Sequence, residues 1–204
     1  NLGLALQERG DINAAIASFN KAIELNPNFT DAHFNLGNAL KEQGDLSAAI
    51  DSFNTALHLK PNFPDAHFNL GNALKEKGDL TAAIDSFNTA LHLKPNFPDA
   101  HINLGNALQE KGDLTAVIAT CNKALELIPN FPEAHFNLGN ALKEQGDLSA
   151  AIDSFNRALQ LKSNFQEARS NLGAALYEQD NLTAAIAAYN TAIELKPNLP
   201  KTHN

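Results

Sequence analysis

The stretch Asn69-Leu70-Gly71-Asn72-Ala73-Leu74-Lys75-Glu76-Lys77-Gly78-Asp79-Leu80 returns in close copies every 34 residues, from one end of the chain to the other. A fixed period of this length marks a solenoid, in which each unit packs mainly on its neighbours and no central core exists. The glycine of the copy falls at Gly3, Gly37, Gly71, Gly105, Gly139 and Gly173. By this register the 204 residues form one array: an incomplete repeat at 1–29, full repeats at 30–63, 64–97, 98–131, 132–165 and 166–199, and the start of another at 200–204. Both ends cut through a repeat and the chain has no methionine. The expectation is a fragment or processed product, flanked in its parent by further repeats or other domains.

Within one period, Ala66, Leu70, Ala73 and Leu74 are spaced as one face of a helix, and Leu80, Ala83, Ile84, Phe87 and Leu91 as the face of a second. Between them Gly78 supplies a residue that tolerates positive φ just past the first helix. Thr81 is predicted to cap the second helix, as are Asn13, Ser47, Thr115, Ser149 and Thr183, since each side chain can accept from a free backbone N–H. The second helix ends near Lys94 because Pro95 follows, and Pro98 opens the next first helix, where a missing donor is harmless. Pro27, Pro61, Pro129 and Pro197 repeat the punctuation, and Ser163 breaks it. Connections this short make successive helices antiparallel. Gly71 inside a helix costs about 1 kcal/mol against Ala, which predicts a neighbour pressed on its bare backbone. In the fourth repeat Cys121 replaces the ring of Phe53 and Phe87, while Val117 replaces Ala49 and Ala83. The added methyl groups partly fill the lost ring's space, so the thiol is expected to be buried and inert.

This pattern resembles the tetratricopeptide repeat over all 204 residues. In the third repeat the matching residues are Leu70, Gly71, Leu74, Gly78, Ala83, Phe87, Ala90 and Pro95. The resemblance implies an all-α, right-handed superhelical solenoid of antiparallel helix-turn-helix repeats, whose first helices line a concave groove. The chain departs from the family where Trp is common, with His33, His67, His101 and His135, then Arg169.

A net charge of -8 opposes a phosphate backbone as the ligand, so nucleic acid is not expected. No apolar run approaches the roughly 18 residues of a membrane span. The lone Cys121 cannot form an internal disulfide and suits a reducing, cytoplasmic compartment. The first-helix histidines occur once per repeat, without the i, i+4 pairing that brings two imidazoles to one ion, and are read as packing residues rather than metal ligands. Every polar grouping is copied with the period, whereas an active site is single and asymmetric. The expectation is therefore no enzyme and no cofactor.

On a helical projection Asp65, Phe68, Asn69, Asn72, Lys75 and Glu76 share an arc of about 120°, opposite Leu70, Gly71 and Leu74. The resemblance implies that this arc faces the groove. Repetition turns it into rows: Asn35, Asn69, Asn103, Asn137 and Asn171; Asn38, Asn72, Asn106 and Asn140; Phe34, Phe68, Ile102 and Phe136. An amide both donates and accepts, so a row of them can hold the backbone of an extended peptide whatever its side chains. The apolar row beside it can take those side chains. The array is similar to the asparagine ladder in the repeat arm of O-linked N-acetylglucosamine transferase. The alternative is that the asparagines bond between adjacent repeats and the aromatic rings are simply packed.

Chaperone cofactors of the family clamp a C-terminal carboxylate with basic residues in this arc; here Phe34, Phe68, Asp65 and Asn69 occupy those places. Asp31, Asp65, Asp99, Glu133 and Glu167 form an acidic row instead, which favours a neutral or basic peptide unless it is only a solvated face. The expected function is a non-catalytic protein-interaction scaffold that binds an extended peptide or protein segment in its concave groove. The alternative is a substrate-recruiting arm of a larger enzyme such as a glycosyltransferase. Leu2 and Leu6 at one end, and Leu182, Ile186, Tyr189 and Ile193 at the other, further predict head-to-tail self-stacking.

Overall fold

The structure, a computed structural model, describes residues 2–194. Among these residues are twelve helices and no strand: α1 Leu2–Glu8, α2 Ile12–Leu25, α3 Thr30–Gln43, α4 Leu46–Leu59, α5 Pro64–Glu76, α6 Leu80–Leu93, α7 Pro98–Glu110, α8 Leu114–Leu127, α9 Pro132–Gln145, α10 Leu148–Leu161, α11 Gln166–Glu178 and α12 Leu182–Glu194. Odd-numbered helices are the first and even-numbered the second of each predicted repeat. Asn1, the predicted stop at Pro197 and residues 200–204 lie outside the described residues. The helices gather into two compact units, Asn1–Ala107 and Leu108–Asn204. Within the first, each of α1 to α5 packs on the helix that follows it, and α3 also touches α5; within the second, each of α8 to α11 packs on the helix that follows it, and α9 touches α11.

The close approach predicted at the mid-helix glycine comes from the second helix of its own repeat. A Cβ added at Gly71 would lie 2.6 Å from Cε1 of Phe87, and at Gly139 2.6 Å from Cε1 of Phe155. Phe53, Phe87 and Phe155 are the largest fully buried side chains together with Val117. Small residues share the core with two of these rings: Ala49 and Ala73 belong to the cluster of Phe53, and Ala151 and Ala175 to that of Phe155. Burying one such ring contributes on the order of 1.5–3 kcal/mol. Cys121 is buried, and burial pushes its thiol up to about 12.

The turn inside each repeat is made by a left-handed residue, Gly78 at φ 90° in the third repeat and its equivalents in the first, second, fourth and fifth. The cap of the second helix differs from the sequence reading. Asp79, immediately before the helix, accepts from the N–H of Ala82 at 3.1 Å, and Asp11, Asp45, Asp113 and Asp147 act likewise. A cap must precede the first helical residue, and Thr81 is already the second residue inside α6. The exposed residues equivalent to Thr81 have another task. Asn13 accepts from Gln43 at 2.6 Å, Ser47 from Lys77 at 3.1 Å and Ser149 from Gln179 at 3.2 Å, each tying a second helix to the end of the next first helix.

The first-helix histidines are latches rather than plain packing residues. Nε2–H of His33, His67 and His101 donates to the carbonyl of Pro27, Pro61 and Pro95 at 2.9 Å, and that of His135 to Pro129 at 3.2 Å. Each bond fastens the loop between repeats to the helix that follows it. Arg169 does the same from Nη2 to the carbonyl of Ser163 at 3.0 Å, so these two departures from the period occupy one latch. On α12, Leu182, Ile186 and Ile193 are exposed, as is Leu2 on α1, and these are apolar surfaces that the predicted stacking would use.

Candidate functional site

Within each unit the two asparagine rows join. Asn69 Nδ2 donates to Asn38 Oδ1 at 2.8 Å and Asn103 Nδ2 to Asn72 Oδ1 at 2.7 Å in the first unit; Asn171 Nδ2 donates to Asn140 Oδ1 at 2.7 Å in the second. These bonds cross from one repeat to the next, because a step of 34 residues places the second-row amide of one first helix beside the first-row amide of its successor. Each bond uses one of two N–H groups on the donor and one lone pair on the acceptor, so both amides keep unused capacity. Asn35, Asn38, Asn69, Asn72, Asn103, Asn106, Asn140 and Asn171 are half-buried and Asn137 is buried. One period before Asn38 the second-row position holds Leu4, so the first repeat offers Asn35 no amide for this pairing.

The aromatic row is packed into rings of its own repeat. Phe34 lies 4.8 Å from the Phe63 ring and 6.1 Å from Phe53; Phe68 lies 4.8 Å from Phe97 and 6.0 Å from Phe87; Phe136 lies 4.8 Å from Phe165 and 6.1 Å from Phe155. All three remain half-buried, as does Ile102 in the same register, so part of each side chain still faces outward. Over the outer ring sits a lysine that the sequence reading missed. Lys60 Nζ is 4.6 Å from the Phe63 centroid, Lys94 4.2 Å from Phe97 and Lys162 4.6 Å from Phe165. The recurring Lys three residues before Phe is the signal that could have found it.

Those lysines also meet the acidic row. Lys94 Nζ is 4.0 Å from Asp65 and Lys162 Nζ is 2.9 Å from Glu133. Two members of the row, Asp65 and Glu133, are thus paired with a lysine. In the first unit a cavity of about 600 Å3 brings Phe34 and Asn35 together with Asp31, Asp65, Phe29 and Phe63. It combines an apolar wall, an amide and two carboxylates. Among the described residues no three metal-ligating side chains converge. Burial holds the His135 imidazole below its ordinary pKa; its hydrogen bond to Pro129 pulls the other way, and the charge of Arg157 adds a smaller downward push.

The model of the TPR repeat matches residues 3–44, 37–78, 71–112, 110–146 and 139–180, and that of the tetratricopeptide repeat matches 167–199. The chain belongs to the tetratricopeptide repeat family. Its histidine latches occupy the first-helix position at which the sequence departs from the family's common tryptophan. Among solved structures it is similar to YrrB, described as a TPR protein with an unusual peptide-binding site, at 27% identity and TM-score 0.72, over 88% of this chain and 93% of that one. PilW, a widely conserved type IV pilus biogenesis factor, shares the fold at 21% identity and TM-score 0.78, over 99% of this chain and 92% of its own. MamA from Desulfovibrio magneticus RS-1 shares it at 20% identity and TM-score 0.74, over 82% and 94%. No curated protein matches the chain. No described helix of this tetratricopeptide array is long and apolar enough to cross a membrane.

Proposed function

We propose that the chain is a non-catalytic scaffold that holds an extended, neutral or basic polypeptide along its first helices. The observation that supports this reading is the cross-repeat asparagine pairing at 2.7–2.8 Å, which fixes the orientation of amides that still have donors and acceptors to offer. Amides oriented in advance lose little side-chain freedom when a peptide backbone arrives. The cavity around Phe34, Asn35, Asp31 and Asp65 adds a place where an apolar or basic side chain of that peptide fits. The likeness to YrrB, whose description names a peptide-binding site, points the same way.

The test is fluorescence anisotropy with peptides selected from a displayed library on the wild-type protein. Asn35→Ala, Asn69→Ala and Asn103→Ala combined should weaken them by about 0.5–1.5 kcal/mol per lost hydrogen bond, with helical circular dichroism unchanged. Sequence preference should shift little, because backbone contacts read no side chain. Unchanged affinity in the triple variant, or a bound peptide that protects α4 and α6 instead of α3 and α5, defeats the reading.

A further inference from the structure

Arginine occurs three times in the chain, at Arg9, Arg157 and Arg169. Two of them line one cavity of about 550 Å3 in the second unit, with Asp153, Asn156, Gln160 and two leucines. Neither is what the period predicts. The places equivalent to Arg157 hold Lys21, Thr55, Thr89, Lys123 and Thr191, and those equivalent to Arg169 hold histidine at His33, His67, His101 and His135. The departures are local, since Ser163 also stands where the period has proline.

The two guanidinium groups are held by neutral partners. Arg157 donates from Nη1 to Gln160 Oε1 at 3.2 Å and from Nη2 to Asn130 Oδ1 at 3.1 Å. Arg169 donates from Nη2 to the Ser163 carbonyl at 3.0 Å, while its Nε–H is buried with no acceptor. The three bonds use only part of the donors of the two guanidinium groups that line the cavity, and the remaining N–H groups can meet a ligand oxygen there. Two guanidinium charges against the Asp153 carboxylate leave one positive charge, which matches a singly charged anion better than a dianion. The planar fork of arginine suits the two oxygens of a carboxylate.

We propose that this pocket binds a carboxylate of a partner polypeptide, either an acidic side chain or a free C-terminus. It is separate from the asparagine and aromatic rows: α10 supplies Asp153, Asn156, Arg157 and Gln160, and no member of those rows lines it. The site therefore gives a second face of the array a preference for the charge that the first-helix surface disfavours.

Nitrogen-15 spectra of the arginine Nε–H groups test it, with N-acetylglutamic acid α-amide as the side-chain probe, N-acetylalanine as the terminal probe and inorganic phosphate as the contrast. The Arg169 Nε–H resonance should move saturably with at least one carboxylate probe, and the stronger of the two identifies the source. Combining Arg157→Thr, Ser163→Pro and Arg169→His restores residues used in the other repeats, and should weaken that binding by about tenfold or more while helical content is kept. Should that triple variant misfold, Arg157→Gln alone provides the same comparison with the latch intact, and should also weaken the probe. No saturable shift with either carboxylate, tighter binding of phosphate than of both, or undiminished binding in the folded variant overturns the proposal.

Discussion

In the third repeat the turn between helices is made by Gly78 at φ 90°, whereas in the sixth it is made by Asp180 at φ 66°. The cap is Asp79 in one and Asn181, accepting from Ala184 at 3.3 Å, in the other. The latch is His67 on Pro61 in one and Arg169 on Ser163 in the other. The ring over the glycine is Phe87 in one and Tyr189 in the other, with a hypothetical Cβ at 2.6 Å from Phe87 and 2.9 Å from Tyr189. Each physical task recurs while the residue changes. Tasks that need one hydrogen-bond acceptor, donor or backbone angle are exchangeable. The task that needs volume is met by a ring in both, Phe87 fully buried and Tyr189, on the last described helix, half-buried.

The largest expected effect sets the two rings against each other. Phe87→Ala should cost about 3–5 kcal/mol, and Tyr189→Ala less than about 3 kcal/mol, because a half-exposed ring leaves a smaller cavity. Urea titrations followed by circular dichroism measure both, and equal losses would break the comparison. The caps come next. Asp79→Ala and Asn181→Ala should each cost about 1 kcal/mol, whereas Thr81→Ala should stay within about 0.5 kcal/mol. A Thr81 variant as damaged as the Asp79 variant would return the cap to the residue that the sequence reading chose. The smallest effect belongs to the turn. A left-handed non-glycine residue costs roughly 1–2 kcal/mol and glycine loses part of that in chain entropy, so Asp180→Gly should stabilise by only about 0.5 kcal/mol. A loss of stability would mean that Asp180 has a role beyond its backbone angle.

The helices, their order and the crowding at Gly71 were legible because identical packing geometry, imposed repeatedly, demands the same volumes at the same spacing. The cap was not, because Asp79 and Thr81 are both cap-formers and only the first helical residue decides between them. The asparagine rows could be located from the period, but an amide serves a neighbour as readily as a ligand. The bond from Asn69 to Asn38 joins residues 31 apart, and distance alone reveals it. Lys94 over Phe97 was hidden for a different reason: the two are separated by a non-helical connection, so no helical spacing rule applies to them.

Cys121 carries a consequence for time rather than for strength. A thiol held protonated up to about 12 by burial is silent toward alkylating reagents near neutral pH, because the thiolate is the attacking form. Modification then has to wait for the fourth repeat to open, so the rate at which the native protein is labelled counts openings of that repeat and says little about the sulfur itself. The chain thus contains a single-site clock, placed in its fourth repeat, that needs no introduced probe.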